Sequence, residues 1–383
     1  MARLADDASV VQRILDHIDG RTTDLGDDTW REPVANYVSE ERFAAERDLV
    51  LRHVPSAFCP SAVLPEPGSY VARDAAGTPI VAVRGSDGKV RAFRNACRHR
   101  GTQLVDGAGC EKAFVCRYHG WVYGLDGELR HVPHEEGFPG LDKATRGLVP
   151  IEAVETSGVV FLTQRAPYAT GTALEELRDL PSPLIPAGER VVQSTERDVP
   201  ANWKVLLEGF LEGYHIRSTH PQTFYPLQYD NLNVVERFGR HDRIAFPYRA
   251  IEKLRGAPPP ERSADGKLTY VYHLFPNAIV ATFPTNRVMV VLEPLAVDRT
   301  RFVTYGLTDR PDDPSGREAA SRGRELVDSG AAEDNAVSLG VQRGLASGAN
   351  EFLEFGRFES AIVHFHRELD AALEAGRAAT RQR

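Results

Sequence analysis

Two tight cysteine–histidine pairs, Cys97-Arg-His99 and Cys116-Arg-Tyr-His119, put a thiolate and an imidazole together on each of two short loops. The segment between them lets the chain return and close both loops around one metal centre. Cys/His clusters at such spacing hold zinc or iron–sulfur. A structural zinc site uses the same four side chains, but zinc fingers usually place the histidine pair together after the cysteine pair. Here each loop carries one of each. That order suits a two-iron, two-sulfur cluster with Cys97 and Cys116 on one iron and His99 and His119 on the other. Histidine ligation leaves such a cluster less negative and raises its reduction potential above that of all-thiolate ferredoxins. Gly101, Gly107, Gly109 and Gly120 permit close backbone approach, from which amide N–H groups can tune the potential.

The run CRHRG followed by CRYHGWVYGLDG resembles the cluster-binding segment of Rieske proteins, in particular the α (catalytic) subunits of Rieske non-heme iron oxygenases. A cluster domain alone is far shorter than 383 residues, and NWKVLLEGFLEGYHIRSTHP offers a second metal site. Read as a helix starting at Trp203 behind an Asn202 cap, this stretch puts Glu208, Glu212 and His215 on one face. His220 falls about 140° off that face at about 100° per residue. The two histidines therefore share a metal only if the helix ends or distorts between them. Pro221 supplies a reason, because the residue before proline is pushed out of the α region; His220 is expected in an extended segment that folds back. Two neutral imidazoles and one carboxylate make the facial triad of non-heme Fe(II) oxygenases, with open positions for O₂ and substrate. The plain alternative is a polar helix face with two incidental histidines.

The resemblance implies more. It makes Glu212 a bridge rather than an iron ligand, hydrogen-bonded from an iron histidine toward His119 of the partner subunit, so that electrons cross between the subunits of a homotrimer. Many members carry Asp there; a Glu is similar to the branch of choline-, betaine- and carnitine-type monooxygenases. It implies the third iron ligand at Asp334, with Glu333 as the fallback. It also implies a separate reductase drawing on NADH or NADPH, with or without a ferredoxin, and mono- or dioxygenation of an aromatic or similar small organic substrate. Oxidation or demethylation of a quaternary ammonium or N-methyl compound stands beside that reading. So does a Rieske electron-transfer protein without oxygenase activity. Phe224, Tyr229, Phe275, Asn277 and Phe283 are candidates for the substrate pocket. The basic turn Phe238–Arg243 reads as a salt-bridged surface turn or as steering for an acidic substrate, and His364 and His366 as packing.

The elements that must position these groups fall into three stretches. Residues 1–50 are polar and helical and are expected to pack with a catalytic domain. Residues 51–165 read as a small all-β Rieske module of short strands, with Asp87-Gly88 and Asp126-Gly127 as hairpin turns and Trp121 and Tyr123 packing the cluster loops. Residues 166–383 read as the mononuclear iron domain, with β-rich runs between 230 and 310 and a helical tail. The fold class is α+β, an antiparallel sheet flanked by helices in a helix-grip arrangement, with the β module placed into or before it. Hydrophobic residues at 42% and charged residues at 26% are ordinary for a globular protein. The net charge of −8 argues against nucleic acid or an anionic membrane as partner. No apolar run is long enough for a membrane span, and the N-terminus lacks a signal pattern, so a cytoplasmic enzyme is expected, with Cys59 and Cys110 as small buried residues.

Overall fold

Asp87-Gly88 and Asp126-Gly127 turn the chain as expected, with Gly88 at φ +79° and Gly127 at φ +85°, a left-handed conformation that glycine takes without a Cβ penalty. The computed structural model describes residues 4–168, 174–284, 286–310 and 314–381, with side chains from 329 onward in the last range. The chain divides into two units: Arg52–Pro167 with Ser182–Ala187, and Met1–Leu51 with Tyr168–Pro181 and Gly188–Arg383. The chain therefore crosses between units more than once near the boundary expected at 166. Ile185 returns to the β unit, where its N–H donates to Ser157 O at 3.1 Å. Gly158, at φ +78°, leaves a gap there; a Cβ would lie 2.0 Å from Ile185 O.

In the β unit, seven antiparallel strands run in the order Ser56–Pro60, Val159–Thr163, Pro150–Thr156, Val90–Arg94, Thr78–Arg84, Ser69–Ala75, Gly107–Cys110. A small second sheet joins Phe114–Val115, Val122–Tyr123 and Leu129–His131. One core draws Val81, Val83, Phe93, Phe114, Trp121 and Tyr123 together with Cys97 and Cys116. Cys59 is buried as expected, but Cys110 is exposed. It lies on an edge strand whose four residues all face solvent.

The second unit is built on a seven-stranded antiparallel sheet, ordered Arg190–Val199, Arg299–Thr308, Arg287–Ala296, Ala278–Thr282, Leu268–Leu274, His241–Pro247, Val234–Phe238. The helices Trp203–Glu208, Pro314–Ala346 and Ser360–Arg381 belong to the same unit. Val10, Val11, Ile14 and Leu15 of the Asp7–Gly20 helix form the apolar stripe expected of a packed helix. They bury against Leu232, Val234, Ala245 and Tyr270. The N-terminal stretch is not wholly helical: Trp30–Pro33 pairs antiparallel with Phe352–Phe355.

The helix before the iron histidines starts where the sequence predicts. Asn202 Oδ1 accepts from Lys204 N–H at 3.0 Å, and Trp203 is 1% exposed. It stops at Glu208, however, with Gly209 as its C-cap. Glu208, Glu212 and His215 therefore do not share a helix face. Glu208 turns inward to Tyr37 Oη at 2.7 Å and His366 Nε2 at 2.8 Å, which makes His366 a packing residue.

That helix is fixed from beneath by a buried charge cluster. Both Glu46 carboxylate oxygens lie 2.8 Å from Lys204 Nζ, while Trp203 Nε1 donates at 3.0 Å and Arg42 Nε at 2.9 Å. Glu46 and Lys204 are 1% and 0% exposed, so removing either partner strands the other charge away from water. Glu46→Ala is expected to cost about 3–5 kcal/mol of stability in urea unfolding, and a loss under about 1 kcal/mol would contradict this reading.

Candidate active site

The two Cys/His loops are built alike. Cys97 N–H donates to Thr102 O at 2.8 Å and Gly101 N–H to Cys97 O at 2.9 Å; Cys116 N–H donates to Trp121 O at 2.8 Å and Gly120 N–H to Cys116 O at 2.9 Å. Gly101 and Gly120 occupy matching places at φ +80° and +72°. The loops bring the His99 and His119 rings to 4.6 Å, and Trp121 stacks on His99 at 5.0 Å. Cys97 and Cys116 are buried, His99 is half-buried and His119 is exposed. Burial pushes the Cys97 thiol up, with Cys116 adding to the rise; burial, with His119 and Arg100 nearby, lowers His99. Two buried sulfurs and two more exposed imidazoles are the donor set of a histidine-ligated two-iron cluster, and they fit it.

The second group forms where the chain leaves Glu208. Glu212 lies between Gly209 and Gly213, and its carboxylate accepts the N–H groups of Tyr214 and His215. Such side-chain bonds to nearby backbone compete with helix, which is why the expected continuous helix breaks here. Gly213 packs closely: a Cβ would meet Phe246 Cε1 at 3.2 Å, and the ring would have to give by a few tenths of an ångström. A short helix, Ile216–Thr219, then runs between His215 as N-cap and His220 as C-cap. His220 leaves the helix at φ −115°, ψ 44°, outside the α region as Pro221 requires but short of extended.

His220 Nε2 lies 2.9 Å and His215 Nε2 3.5 Å from Asp334 Oδ1. One ligand atom from each of the three side chains fits within a 4.8 Å span. The other ring nitrogens are held by carboxylates: His215 Nδ1 by Glu212, and His220 Nδ1 by Glu333 Oε2 at 2.7 Å. Thr223 Oγ1 donates to the same Glu333 oxygen at 2.6 Å. A metal-ligating histidine needs this outer partner to fix its tautomer and direction. The donor set thus fits a mononuclear iron with Asp334 in the ligand position, and Glu333 stands behind His220. Burial disfavours charge on His215, yet the Glu212 hydrogen bond and charge, with Asp334 beyond, leave its pKa above the usual imidazole value. A metal bound here would compete with that proton.

These side chains open into a cavity of about 490 Å³. Phe224 and Phe283 line it, as expected from the sequence. Phe224 stacks edge-on to His220 at 4.8 Å and lies against Gly330, where a Cβ would sit 2.3 Å from its ring. Tyr229, Phe275 and Asn277 do not line it. Tyr229 hydrogen-bonds Glu252 and packs toward the N-terminal helix. Phe275 and Asn277 sit in the turn between Leu268–Leu274 and Ala278–Thr282; Asn277 Nδ2 donates to Leu292 O at 2.9 Å. The basic turn is spoken for too: Arg240 pairs with Glu368, Arg243 with Glu236, and buried Asp242 with His273 and His364. The sequence reading missed Phe210, Phe246, Phe302, Thr195 and Arg197, all on the cavity wall. Period-two alternation along the Arg190–Val199 strand was the available signal for the last two.

Residues 55–148 match the Rieske 2Fe-2S domain family, and residues 187–375 match the ring hydroxylating alpha subunit (catalytic domain) family. The chain belongs to the Rieske non-heme iron oxygenases. This oxygenase is 27% identical over 370 residues to the carnitine monooxygenase oxygenase subunit of Escherichia coli K12, covering 89% of this chain and 93% of the relative. Its fold matches a quaternary ammonium Rieske monooxygenase in complex with L-carnitine at TM-score 0.74 and 20% identity, over 97% of this chain and 99% of the other. It equally matches the naphthalene 1,2-dioxygenase of Rhodococcus sp. bound to indole, at TM-score 0.76 and 18% identity over 96% and 98%. An iron–sulfur cluster and a mononuclear iron are its cofactors, and among the described residues no helix is long and apolar enough to cross a membrane.

Tyr123 Oη lies 3.3 Å from Cys97 Sγ and accepts the Arg98 N–H at 2.9 Å. Hydrogen bonds to cluster sulfurs raise the reduction potential. Tyr123→Phe is expected to lower the cluster potential by about 60 mV if that bond favours the reduced form by about 1.4 kcal/mol. A redox titration followed by visible circular dichroism reads it; an unchanged or higher potential would contradict the assignment.

Proposed function

We propose that this oxygenase inserts oxygen into a small organic substrate with an apolar, ring-sized body, in the cytoplasm, with electrons from a separate reductase that draws on NADH or NADPH. The cavity wall carries the reading. Phe210, Phe224, Phe246, Phe283 and Phe302, with Val271, Ile279 and Val290 between them, give a largely apolar enclosure of ligand size. Cys97, Cys116, His99 and His119 would hold a cluster able to supply single electrons, and His215, His220 and Asp334 would hold an iron able to activate O₂.

The chain's own residues set the conditions for that chemistry. Glu212 and Glu333 keep both imidazoles aimed inward, and the phenylalanine wall excludes water and orients the substrate carbon. Exposed His119 and the Glu212–His215 pair suit an electron passing between subunits of a homotrimer, from His119 of the partner subunit to Glu212. A second reading, oxidation of an N-methyl or quaternary ammonium compound, is favoured by the carnitine monooxygenase relative and by aromatic faces able to hold a cation.

Single turnover of chemically reduced enzyme with heavy-isotope oxygen, over a panel of aromatic acids, uncharged aromatics, N-methyl compounds and betaines, tests the proposal. Label in an aromatic product is the expected result. Label only in products of the ammonium compounds selects the second reading, and no label in any product overturns oxygenase function. In the same assay Glu212→Gln should keep both metals and slow cluster oxidation at least tenfold, about 1.4 kcal/mol; unchanged kinetics would remove the bridge.

A further inference from the structure

Among the described residues the Arg190–Val199 strand is the edge of the catalytic sheet, paired to Arg299–Thr308 alone. Its side chains alternate sharply in charge and partner. Glu196 and Asp198 both reach Arg301, at 3.7 and 2.7 Å. Gln193, Thr195 and Arg197 are on the other face and line the cavity. Across the ladder Thr195 sits opposite Thr304 and Arg197 opposite Phe302, both also on the cavity wall. The Arg197 guanidinium carbon lies 5.3 Å from the Phe302 ring centroid. Among the described residues Arg197 has no ion pair, because the two carboxylates flanking it in sequence are directed to Arg301.

The remaining charges on the wall are committed. Glu212 is bonded to His215, and Asp334 faces both iron-site histidines. The one uncommitted formal charge among the described lining residues is therefore an exposed cation, set against an aromatic face, with the Thr195–Thr304 pair two positions along the ladder. A guanidinium in this setting presents paired N–H donors that match a carboxylate.

We infer that the substrate carries an anionic group, a carboxylate or a similar oxyanion, which Arg197 binds with Thr195 and Thr304 alongside, while the apolar body reaches toward His215 and His220. This rests on the reading of the cavity as the oxygenase substrate site. It separates the candidates sharply. An aromatic acid or a betaine zwitterion meets the requirement; choline and an unsubstituted arene do not. Arg197 is then a specificity-determining residue, acting on affinity rather than on iron.

Isothermal titration of the holoenzyme with two matched pairs, benzoate against benzamide and glycine betaine against choline, tests this. In at least one pair the acid should bind ten times tighter or more than its uncharged or cationic counterpart. Arg197→Met, which keeps an apolar stem over Phe302, should weaken that acid about tenfold, about 1.4 kcal/mol, and erase the preference. Arg197→Lys should weaken it less, because charge remains while the paired donors are lost. Equal binding within both pairs, binding of neither acid, or an Arg197→Met variant that keeps the preference overturns the inference. Oxygen insertion into uncharged substrates without any anion preference leaves the oxygenase reading standing and removes this one. Anion binding through Arg197 without oxygen insertion into any panel compound does the reverse.

Discussion

An imidazole that binds metal through one nitrogen must have the other nitrogen held, and here both iron-site histidines are held by carboxylates. Glu212 takes His215 Nδ1 and Glu333 takes His220 Nδ1, so both Nε2 atoms turn toward Asp334. The local fold follows from this requirement. Glu212 can serve only from a turn, so the helix that begins at Trp203 ends at Glu208 and two glycines flank the acid. Glu333 and Asp334 are neighbours on one helix, about 100° apart. That separation lets one reach an outer nitrogen while the other faces the inner pair. The buried Glu46–Lys204 cluster holds the preceding helix firmly enough for the turn to be placed.

The two metal centres solve opposite problems of burial. At the cluster loops the cysteines are buried and the histidines more exposed, so an iron held by His99 and His119 would be the one nearer the surface. At the iron site the histidines point inward, and His220 is 1% exposed. An electron carrier needs a surface exit, whereas oxygen chemistry needs a dry interior. Similar residue types are thereby put to different uses in the two units.

What could be read from the sequence was what is local. Cys97, His99, Cys116 and His119 declare themselves because each loop is closed by bonds spanning a few residues. His215 and His220 do so because a proline ends the turn between them. Asp334 lies far along the chain from His220, and only resemblance to a family located it. The helix extent was misread because the charge pattern of Glu208, Glu212 and His215 mimics one face, while Gly209, Gly213 and the Glu212 bonds to backbone override it. Phe275 and Asn277 were misplaced because sheet periodicity does not say where a strand gives way to a turn, and Tyr229 because following the iron histidines in sequence does not place a side chain in their cavity. Arg197 was legible as half of an alternating pattern, but which face met the cavity is a tertiary fact.

The convergence of His215, His220 and Asp334 on one iron, beside an independent cluster, is tested most directly by metal analysis with Mössbauer spectroscopy. The comparison is between anaerobically reconstituted protein and its His220→Ala variant. The geometry predicts about three irons per chain, two of them in a histidine-ligated cluster, and loss of the third alone in the variant. Only cluster iron in the unaltered protein, or a variant that keeps the third iron unchanged, would contradict it.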